Sequence, residues 1–495
     1  MNKKKAPLLY EAREQDLWST AVGQVMREIT YELAKYVTDT DCSVIPKEVF
    51  EWAKVRVLDV LGCILVGGKA SGTGAVLDYT GYVGGKDEST VLLRLKRVPA
   101  ALAAMANAIC ARAFDFEPVG PYVHGVSYPA HISGTTIPVA LAVAEAVEAS
   151  GREMLGALAL GEDIVARLVA GSDFTLEGGW DNTGTTNAFG ACAIAGKLLG
   201  LNREQMQNAF GLVLNQLGGS LQSLYEAVDS FKLCQGLSAQ AGILSAILAR
   251  NGFTGPKEAV EGRHGYFKLY CQSYAAERVL RGLGESFHCD DVIKPYPCCR
   301  ANHGAVDCVL DIVSRTGTIG IKDVKGIKVY VRPVVSRIFV NRAYGSGRVR
   351  QIDAAFNLRY CVAKAFLKGK LSVQHFIEPE LSDPETSSLA GMVELIPEDF
   401  LDKEITTKVQ VVLGREVLES SCKVPKGDRR YNPLNIQDVK DKFVNNLSLC
   451  IGETKATERL IGLIEELHMT DNVRVLMDEI TGVLKDHLVP NHLWR

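Results

Sequence analysis

The chain has 495 residues, of which 47% are hydrophobic and 23% are charged, as is typical of globular proteins and unlike disordered, collagen-like or coiled-coil chains. At ~150 residues for each domain, this length predicts about three core-sized units. With 55 basic and 58 acidic residues the formal net charge is -3, so we expect neither nucleic acid nor an anionic membrane surface as a partner, since both attract basic proteins.

From Gln24 to Leu201 the chain has a mainly helical pattern, because apolar residues recur at intervals of three and four positions. Alanine and glycine are frequent in these segments, which favours helices that pack closely. The helical pattern continues through 239–249 and stops at Asn251 and Gly252, a typical helix C-terminus. We therefore predict a large α-helical domain.

The pattern changes after about residue 290. Two segments alternate apolar and polar residues, which predicts strands around Ile327–Val331 and from Val409 through Gly414 to Val424. A helical stretch, 354–368, lies between them, so we predict a separate α+β domain over 290–424. The tail, 436–488, returns to amphipathic helices, for which packing is the simplest interpretation.

The 13 cysteines are scattered and never form a CxxC pair, a pattern that favours reduced, buried thiols. The basic start of the chain is not followed by the apolar segment of a signal peptide. The apolar runs 138–147 and 154–160 are shorter than the ~20 residues that span a bilayer. We therefore predict a cytoplasmic protein with no membrane partner.

The first candidate for chemistry is a group of two acids and two histidines in a stretch that glycine and proline interrupt. The group is Asp115, Glu117, His124 and His131. Histidine titrates near neutral pH and a carboxylate can orient it, so the group could act in general acid–base catalysis. The simpler alternative is a set of surface or capping residues. No HExxH motif occurs, and the spacing of the histidines matches no common zinc site.

Two further candidates lie next to predicted helices. Asp181 belongs to a polar run, 180–187, that precedes an Ala/Gly helix. Backbone amides at such a helix start can bind an anion, although simple N-capping explains the run equally well. Lys232 precedes Gly236 at the start of a buried helix and could bind a carboxylate or be solvated.

The most distinctive stretch, 294–303, lies at the predicted domain boundary and combines two prolines with candidate site residues. These are Lys294, Cys299, Arg300 and His303. Cys299 and His303 could form a nucleophilic pair, but the sequence offers no third residue to orient them, so covalent catalysis is disfavoured. The glycine pairs of the chain fit neither GxGxxG nor a P-loop, which disfavours nucleotide binding.

Taken together and in this order, six stretches resemble the MmgE/PrpD family, which includes 2-methylcitrate dehydratase, cis-aconitate decarboxylase and iminodisuccinate epimerase. The stretches are 58–63, 114–116 with His131, 196–201, 252–256, 294–299 and 353–363. The resemblance covers most of the chain. It implies a helical domain built from 1–289 and 425–495, an inserted α+β lid domain of 290–424, and a homodimer that uses no metal or organic cofactor.

The resemblance also implies an active site between the two domains. Carried over by position, Asp115, His131 and Lys294 match catalytic residues of the family. The remaining candidates for substrate binding are Asp181, Lys232, Cys299, Arg300 and His303. The chain departs from the decarboxylase pattern at four positions: Asp181 replaces a histidine, Lys232 is shifted by one residue, Cys299 replaces a histidine of animal decarboxylases, and Phe339 replaces a lid tyrosine.

These residues predict a cofactor-independent lyase that acts on a small di- or tricarboxylate. The family chemistry forms or quenches a carbanion next to a carboxylate, and positioned cations must stabilise its charge. We expect His131, oriented by Asp115, to transfer the proton. Asp181 supplies a negative charge or a second acid, which favours a hydratase or dehydratase. The alternatives are an epimerase, a cis-aconitate-type decarboxylase and, in another class, a non-catalytic carboxylate-binding or scaffold protein.

Overall fold

A computed structural model describes residues 28–317, 319–344, 350–400, 406–452 and 456–487. The basic start of the chain and both outer bounds of the predicted helical domain lie outside the described residues. Helices form most of the described chain, so the predicted mainly α fold is confirmed. The helices are α1 (Ile29–Asp39), α2 (Lys47–Gly67), α3 (Thr73–Val83), α4 (Ala100–Arg112), α5 (Ser133–Val147), α6 (Gly151–Gly171), α7 (Thr186–Leu198), α8 (Arg203–Leu214), α9 (Gln222–Glu226), α10 (Leu233–Arg250), α11 (Tyr266–Tyr270), α12 (Glu277–Leu280), α13 (His303–Thr316), α14 (Pro333–Arg337), α15 (Gln351–Ala355), α16 (Leu358–Lys368), α17 (Pro384–Ala390), α18 (Ile436–Ile451), α19 (Ala456–Glu465) and α20 (Val473–His487).

Small residues allow the central helices α6, α7 and α10 to pack at short range. A Cβ atom on Gly242 of α10 would lie 2.5 Å from the Cβ of Ala191 on α7. A Cβ on Gly190 of α7 would lie 2.3 Å from a methyl group of Val165 on α6. Any larger side chain at these positions would force the helices apart, which confirms the prediction from the Ala/Gly content.

The strands form three small sheets within the described residues. The largest has the order β7-β6-β8-β9, with β6 parallel to β7 and antiparallel to β8. The strands are β1 (Ser89–Val91), β2 (Lys96–Val98), β3 (Val119–Val123), β4 (Val126–Ser127), β5 (Asp290–Val292), β6 (Gly326–Val331), β7 (Val393–Pro397), β8 (Thr407–Leu413) and β9 (Glu416–Cys422). The predicted strands correspond to β6, β8 and β9, and the alternating residues Ile327, Val329 and Val331 are buried as expected.

Two details differ from the sequence-based predictions. The region predicted as helical also contains the short strands β1 to β4, and β3 pairs with β5 through Val119 and Val292. The stretch predicted as one helix from 354 to 368 lies across two helices, α15 and α16. The break follows from Asn357, whose side-chain oxygen accepts a hydrogen bond from the amide of Tyr360 at 3.1 Å and so caps α16.

The division into a helical domain and an inserted domain stays a prediction. One buried hydrophobic cluster contains residues from both parts of the chain, including Phe114 and Leu221 before residue 290 and Val329 after it. The helices of the tail pack through the predicted apolar positions, among them Phe443 of α18 and Ile464 of α19.

One segment, Asp229–Arg250, is long and apolar enough to cross a membrane, contrary to the expectation that the apolar runs are too short. Most of the segment is buried inside the protein, as the core helix of a globular fold is, so it is weak evidence for a membrane span. The cytoplasmic location stays a prediction.

Candidate active site

The first residue of the site is Arg112, the last residue of α4. The loop that follows α4 places two acidic side chains next to the Arg112 guanidinium group. Asp115 has a left-handed backbone with φ 51°, a conformation that aspartate adopts more readily than most residues. Its amide donates a hydrogen bond to the Arg112 carbonyl at 2.9 Å. The Arg112 guanidinium forms ion pairs with Asp115 and, at 2.9 Å, with Glu117. All three side chains are buried.

His131 lies just before α5 and joins this ion-pair cluster through its ring. Its Nδ1 is 2.8 Å from an oxygen of Glu117, whereas its Nε2 is 3.8 Å from Asp115. Glu117 is therefore the closer partner, and it takes the orienting position that the sequence analysis gave to Asp115. The His131 side chain is 22% exposed, so a ligand can reach it, while Glu117 is fully buried beneath it.

Two buried lysines hold the loop from behind. The ammonium group of Lys294 donates a hydrogen bond to the Asp115 carbonyl at 2.6 Å and lies 2.9 Å from the Asp115 carboxylate. Lys442, from α18, donates to the Phe116 carbonyl at 2.8 Å and pairs with Asp59 at 2.7 Å. The loop is thus fixed by charged contacts to distant parts of the chain, because buried charges are stable only when paired.

Burial and the neighbouring charges set the protonation states of this cluster. Burial alone would raise the pKa of Glu117, but Arg112 and His131 outweigh it and hold that pKa well below its usual value, so Glu117 is ionised. Burial and the positive charge of Arg112 lower the pKa of His131, against the opposite influence of Glu117. His131 is therefore neutral at neutral pH and can accept a proton.

A cavity of about 470 Å³ opens beside His131, and most of the predicted site residues line it. The predicted residues that line it are Asp115, His131, Asp181, Cys299 and Arg300, together with Phe339. Asp181 accepts a hydrogen bond from the amide of Thr183 at 2.9 Å and so caps a short helical turn. The geometry thus agrees with the N-capping interpretation, and a role for Asp181 in substrate binding stays a prediction.

Three predicted residues do not line this cavity. Lys294 is fully buried behind the loop and forms an ion pair with Asp115. Lys232 donates hydrogen bonds to the Ser71 carbonyl and to Asp229, and burial lowers its pKa. His303 is buried with its ring nitrogens 3.2 Å from a carbonyl and from Arg300. The catalytic role of Lys294 and the substrate-binding roles of Lys232 and His303 stay predictions, and the described contacts give each a structural partner.

The surroundings of Cys299 do not activate its thiol as a nucleophile, although they hold the neighbouring Arg300 in place. Burial raises the pKa of Cys299 to about 12, so the thiol stays protonated at neutral pH, whereas a nucleophilic cysteine needs a lowered pKa. The guanidinium of Arg300 donates to the carbonyls of Lys426 and Pro425 at 2.6 and 2.7 Å. Arg300 is thereby held at the cavity edge as a fixed positive charge.

Asp115, Glu117 and His131 have the chemistry of a metal site, since their ligand atoms lie within 4.8 Å of one another. The guanidinium of Arg112, however, contacts all three of these side chains, with its Nη1 3.0 Å from the His131 Nδ1. A metal ion between the three ligands would have to displace this buried cation. The residues therefore fit an arginine-centred ion-pair cluster better than a metal centre.

Sequence reasoning missed Arg112, Lys442 and the contribution of Asn187. The Asn187 amide donates to the His131 carbonyl at 2.7 Å and so fixes the backbone next to the imidazole. Only Arg112 had a local signal, because it is the single charged residue in the apolar helix Ala100–Arg112. His124, the other histidine of the first candidate group, contacts the Arg278 carbonyl and does not line the cavity.

Two family models match the chain. The MmgE/PrpD N-terminal domain matches residues 31–278, and the MmgE/PrpD C-terminal domain matches residues 296–466. These matches cover all of the cavity-lining residues except Val292.

Curated relatives are similar to the chain at low identity. A cis-aconitate decarboxylase of Aspergillus terreus is 26% identical over 318 residues, which are 61% of this chain and 63% of the relative. The chain thus matches less than two thirds of that protein. The cis-aconitate decarboxylase-like protein oryM of Aspergillus oryzae is 23% identical over 92% of this chain and 98% of its own length. The human cis-aconitate decarboxylase is 23% identical over 92% and 95%, respectively.

Proposed function

The chain belongs to the MmgE/PrpD family, and on this basis we propose that it is a lyase that acts on a small di- or tricarboxylate. The single observation that carries the proposal is the accessible His131, whose Nδ1 lies 2.8 Å from Glu117 and whose side chain lines the cavity. Such a histidine is the common general base of proton-transfer enzymes. The decarboxylase names of the relatives also support a lyase.

The proposed proton path starts at the imidazole. In the tautomer that carries its proton on Nδ1, His131 donates a hydrogen bond to the ionised Glu117, which leaves the lone pair on Nε2 for a substrate proton. Removal of a proton next to a carboxylate creates negative charge on the substrate. Arg112 and Arg300 line the same cavity and supply fixed positive charge where that charge develops.

Dehydration and decarboxylation are the two candidate outcomes. Asp181 lines the cavity and offers a second carboxyl group that could protonate a leaving hydroxyl, which favours dehydration. The names of the relatives favour decarboxylation, in which the proton passes to the carbanion after carbon dioxide leaves. The two outcomes differ in what is released, so one experiment separates them.

The test is proton NMR in heavy water of the purified, chelator-treated protein with citrate, 2-methylcitrate, cis-aconitate and malate. We expect an alkene signal from a hydroxy acid, or addition of water to cis-aconitate. Release of carbon dioxide would establish the decarboxylase instead, and deuterium exchange at one carbon without net change would establish an epimerase. If every acid binds, as judged by thermal shift, but none reacts, the protein is a carboxylate-binding or scaffold protein.

We also propose that the protein is a homodimer, as the family resemblance implied. The support is an apolar face on α10, where four large side chains are 39 to 45% exposed and share one side of the helix. They are Leu233, Leu237, Leu244 and Ile247.

A further inference from the structure

The peptide group that follows His131 is held at both of its ends by side chains from distant elements. Its carbonyl oxygen, on His131, accepts a hydrogen bond from the side-chain amide of Asn187 at 2.7 Å. Its N–H, on Ile132, donates a hydrogen bond to the Oδ2 of Asp290 at 3.0 Å. Asn187 belongs to α7 and Asp290 to β5. Because a peptide group is planar, these two hydrogen bonds fix its orientation.

Both side chains also contact the first turn of α5. The Oδ2 of Asp290 accepts a second hydrogen bond from the Ser133 amide at 2.8 Å. The Asn187 amide donates a second hydrogen bond to the Thr135 hydroxyl at 2.9 Å. Ile132, the residue before α5, provides no side-chain cap. Asp290 therefore caps the helix in place of a local polar residue, although it lies 158 residues from Ile132 in the sequence.

The two side chains that hold the peptide group are themselves anchored. Asn187 is 1% exposed and Asp290 is fully buried. The backbone carbonyl of Asp290 accepts a hydrogen bond from the indole N–H of Trp52 at 3.0 Å, and Asp290 pairs with Pro121 in the sheet that β5 forms with β3. We call Asn187 and Asp290 the peptide clamp. The clamp is part of the packed interior, where side chains have little freedom to move.

The clamp restricts the imidazole of His131 because the peptide group is bonded directly to the His131 Cα atom. With that group fixed, the position of the ring depends mainly on the side-chain torsions of His131. The ring is held at a further point by Glu117, which lies 2.8 Å from its Nδ1. The imidazole is thus held through its backbone and through its ring, which is the support that a preorganised catalytic group needs.

We propose that Asn187 and Asp290 are positioning residues, which together hold the peptide group after His131 so that the imidazole keeps the orientation for proton transfer. This inference rests on the proposed function, in which His131 is the general base. Neither Asn187 nor Asp290 is among the residues that line the cavity, so neither is placed to touch the substrate. We therefore expect their effect in kcat and little effect in KM.

The first test releases the two ends of the peptide group one at a time, in Asp290→Ala and Asn187→Ala. We expect kcat to fall roughly tenfold or more in each variant, since displacing a catalytic group by about 1 Å can cost about 10²-fold. In the double variant the loss should be smaller than the product of the two single losses, because one free end already lets the peptide group turn. Steady-state kinetics measures all three. Single losses that multiply would contradict a joint clamp.

The matched control is Asn107→Ala on α4. Asn107 is buried and also holds backbone groups at two points: it accepts a hydrogen bond from the Leu92 amide at 3.2 Å and donates one to the Thr90 carbonyl at 2.9 Å. It does not line the cavity. We expect Asn107→Ala to lower the thermal unfolding temperature as the clamp variants do but to keep kcat. The same loss of kcat in Asn107→Ala would show that the clamp has only a structural role.

Asp290→Asn is the conservative variant, and it also serves if Asp290→Ala does not fold. The amide of asparagine keeps an oxygen that can accept the two backbone hydrogen bonds. It is a close substitute because burial raises the pKa of the Asp290 carboxyl well above its usual range. We expect Asp290→Asn to retain most of the wild-type kcat. A kcat as low as that of Asn187→Ala would contradict the role of Asp290 as a hydrogen-bond acceptor.

A measurement without substrate keeps this inference apart from the proposed function. In protein labelled with ¹⁵N-histidine, NMR of the His131 ring nitrogens, assigned by comparison with His131→Ala, reports the contact with Glu117. We expect wild-type signals in Asn107→Ala and signals closer to those of a free imidazole in Asp290→Ala and Asn187→Ala. Unchanged signals in both clamp variants would overturn the inference, whether or not the protein is a lyase. Shifted signals without turnover of any acid would support the clamp and reject only the lyase.

Discussion

Two parts of the cavity lining are held by different forces. The ionic wall is formed by Arg112, Asp115 and His131, and the apolar wall is formed by Leu221, Leu224, Val335, Ile338 and Phe339. The ionic wall depends on buried charges that reach it from far along the chain, through Lys294 and indirectly through Lys442. The apolar wall depends on the packing of neighbouring side chains around Phe339. Removing one buried charge leaves its partner unpaired, whereas an apolar surface tolerates volume-conserving changes. We therefore expect the ionic wall to tolerate substitution less well than the apolar wall.

The largest effect is expected for His131→Ala on the ionic wall. A general base contributes typically about 10²–10⁴-fold to the rate, so turnover should fall by that factor while the thermal unfolding temperature changes little. His124→Ala is the matched control, because that histidine contacts the Arg278 carbonyl outside the cavity lining. Steady-state kinetics on the best substrate measures both. Full turnover by His131→Ala would remove the imidazole from the mechanism.

The next effect concerns the support behind the ionic wall. Lys294→Met leaves the buried carboxylate of Asp115 without its ammonium partner, and breaking a buried ion pair in this way costs about 3–5 kcal/mol of unfolding free energy. Urea unfolding gives the value. The control Lys86→Met removes an exposed pair with Glu88, which should cost no more than about 1 kcal/mol. Equal losses in the two variants would show that the buried pair does not hold the loop.

Replacing Glu117 is expected to have a smaller effect on stability, and this effect depends on pH. The pKa of Glu117 is lowered in the folded protein from the ordinary value of 4.5, so it stabilises the fold above about pH 4.5, and this contribution is lost as the pH falls further. In Glu117→Gln we expect the loss of stability below pH 4.5 to be shallower than in the wild type. Urea unfolding at several pH values tests this expectation. The same decrease of unfolding free energy below pH 4.5 in the variant and the wild type would contradict the assigned ionisation of Glu117.

The same variant changes the pH dependence of turnover. Glu117 raises the pKa of His131, whereas burial and Arg112 lower it. Its replacement by glutamine should therefore shift the acid limb of the kcat profile to lower pH and reduce kcat, because the imidazole loses its orienting partner. A merely structural Glu117 would reduce stability without moving that limb.

The fold could be predicted wherever the pattern is local. The alternation of Ile327, Val329 and Val331 predicted β6, and the Ala/Gly content predicted the closely packed helices. The strand β5 was missed because it has three residues and begins with two aspartates, so it offers no alternation. Its pairing with β3, which brings the two predicted domain segments together, depends on contacts far apart in the sequence.

The candidate site, too, could be predicted only where its residues lie close together in the sequence. Asp115 and His131 are close in sequence and could be recognised as a group, whereas Lys442 lies 326 residues from the carbonyl that it contacts. A single lysine in an amphipathic helix carries no local signal for such a role. The closer pairing of His131 with Glu117 also could not be predicted, because it depends on the left-handed turn at Asp115.

The smallest effect on turnover is expected at the exposed apolar face of α10, whose residues do not line the cavity. Leu237 is 45% exposed on that face and is absent from the cavity lining. In the proposed homodimer, Leu237→Glu would bury a charge at the interface, so we expect the mass measured by light scattering to halve. Val417→Glu on β9, also half exposed, should leave the mass unchanged.

Turnover of the dissociated Leu237→Glu protein then tests whether one chain supplies the complete active site. Arg112, Glu117 and His131 contact one another within one chain, so we expect the monomer to keep a turnover close to that of the parent protein. Loss of turnover with an intact helical fold would mean that a second copy completes the site.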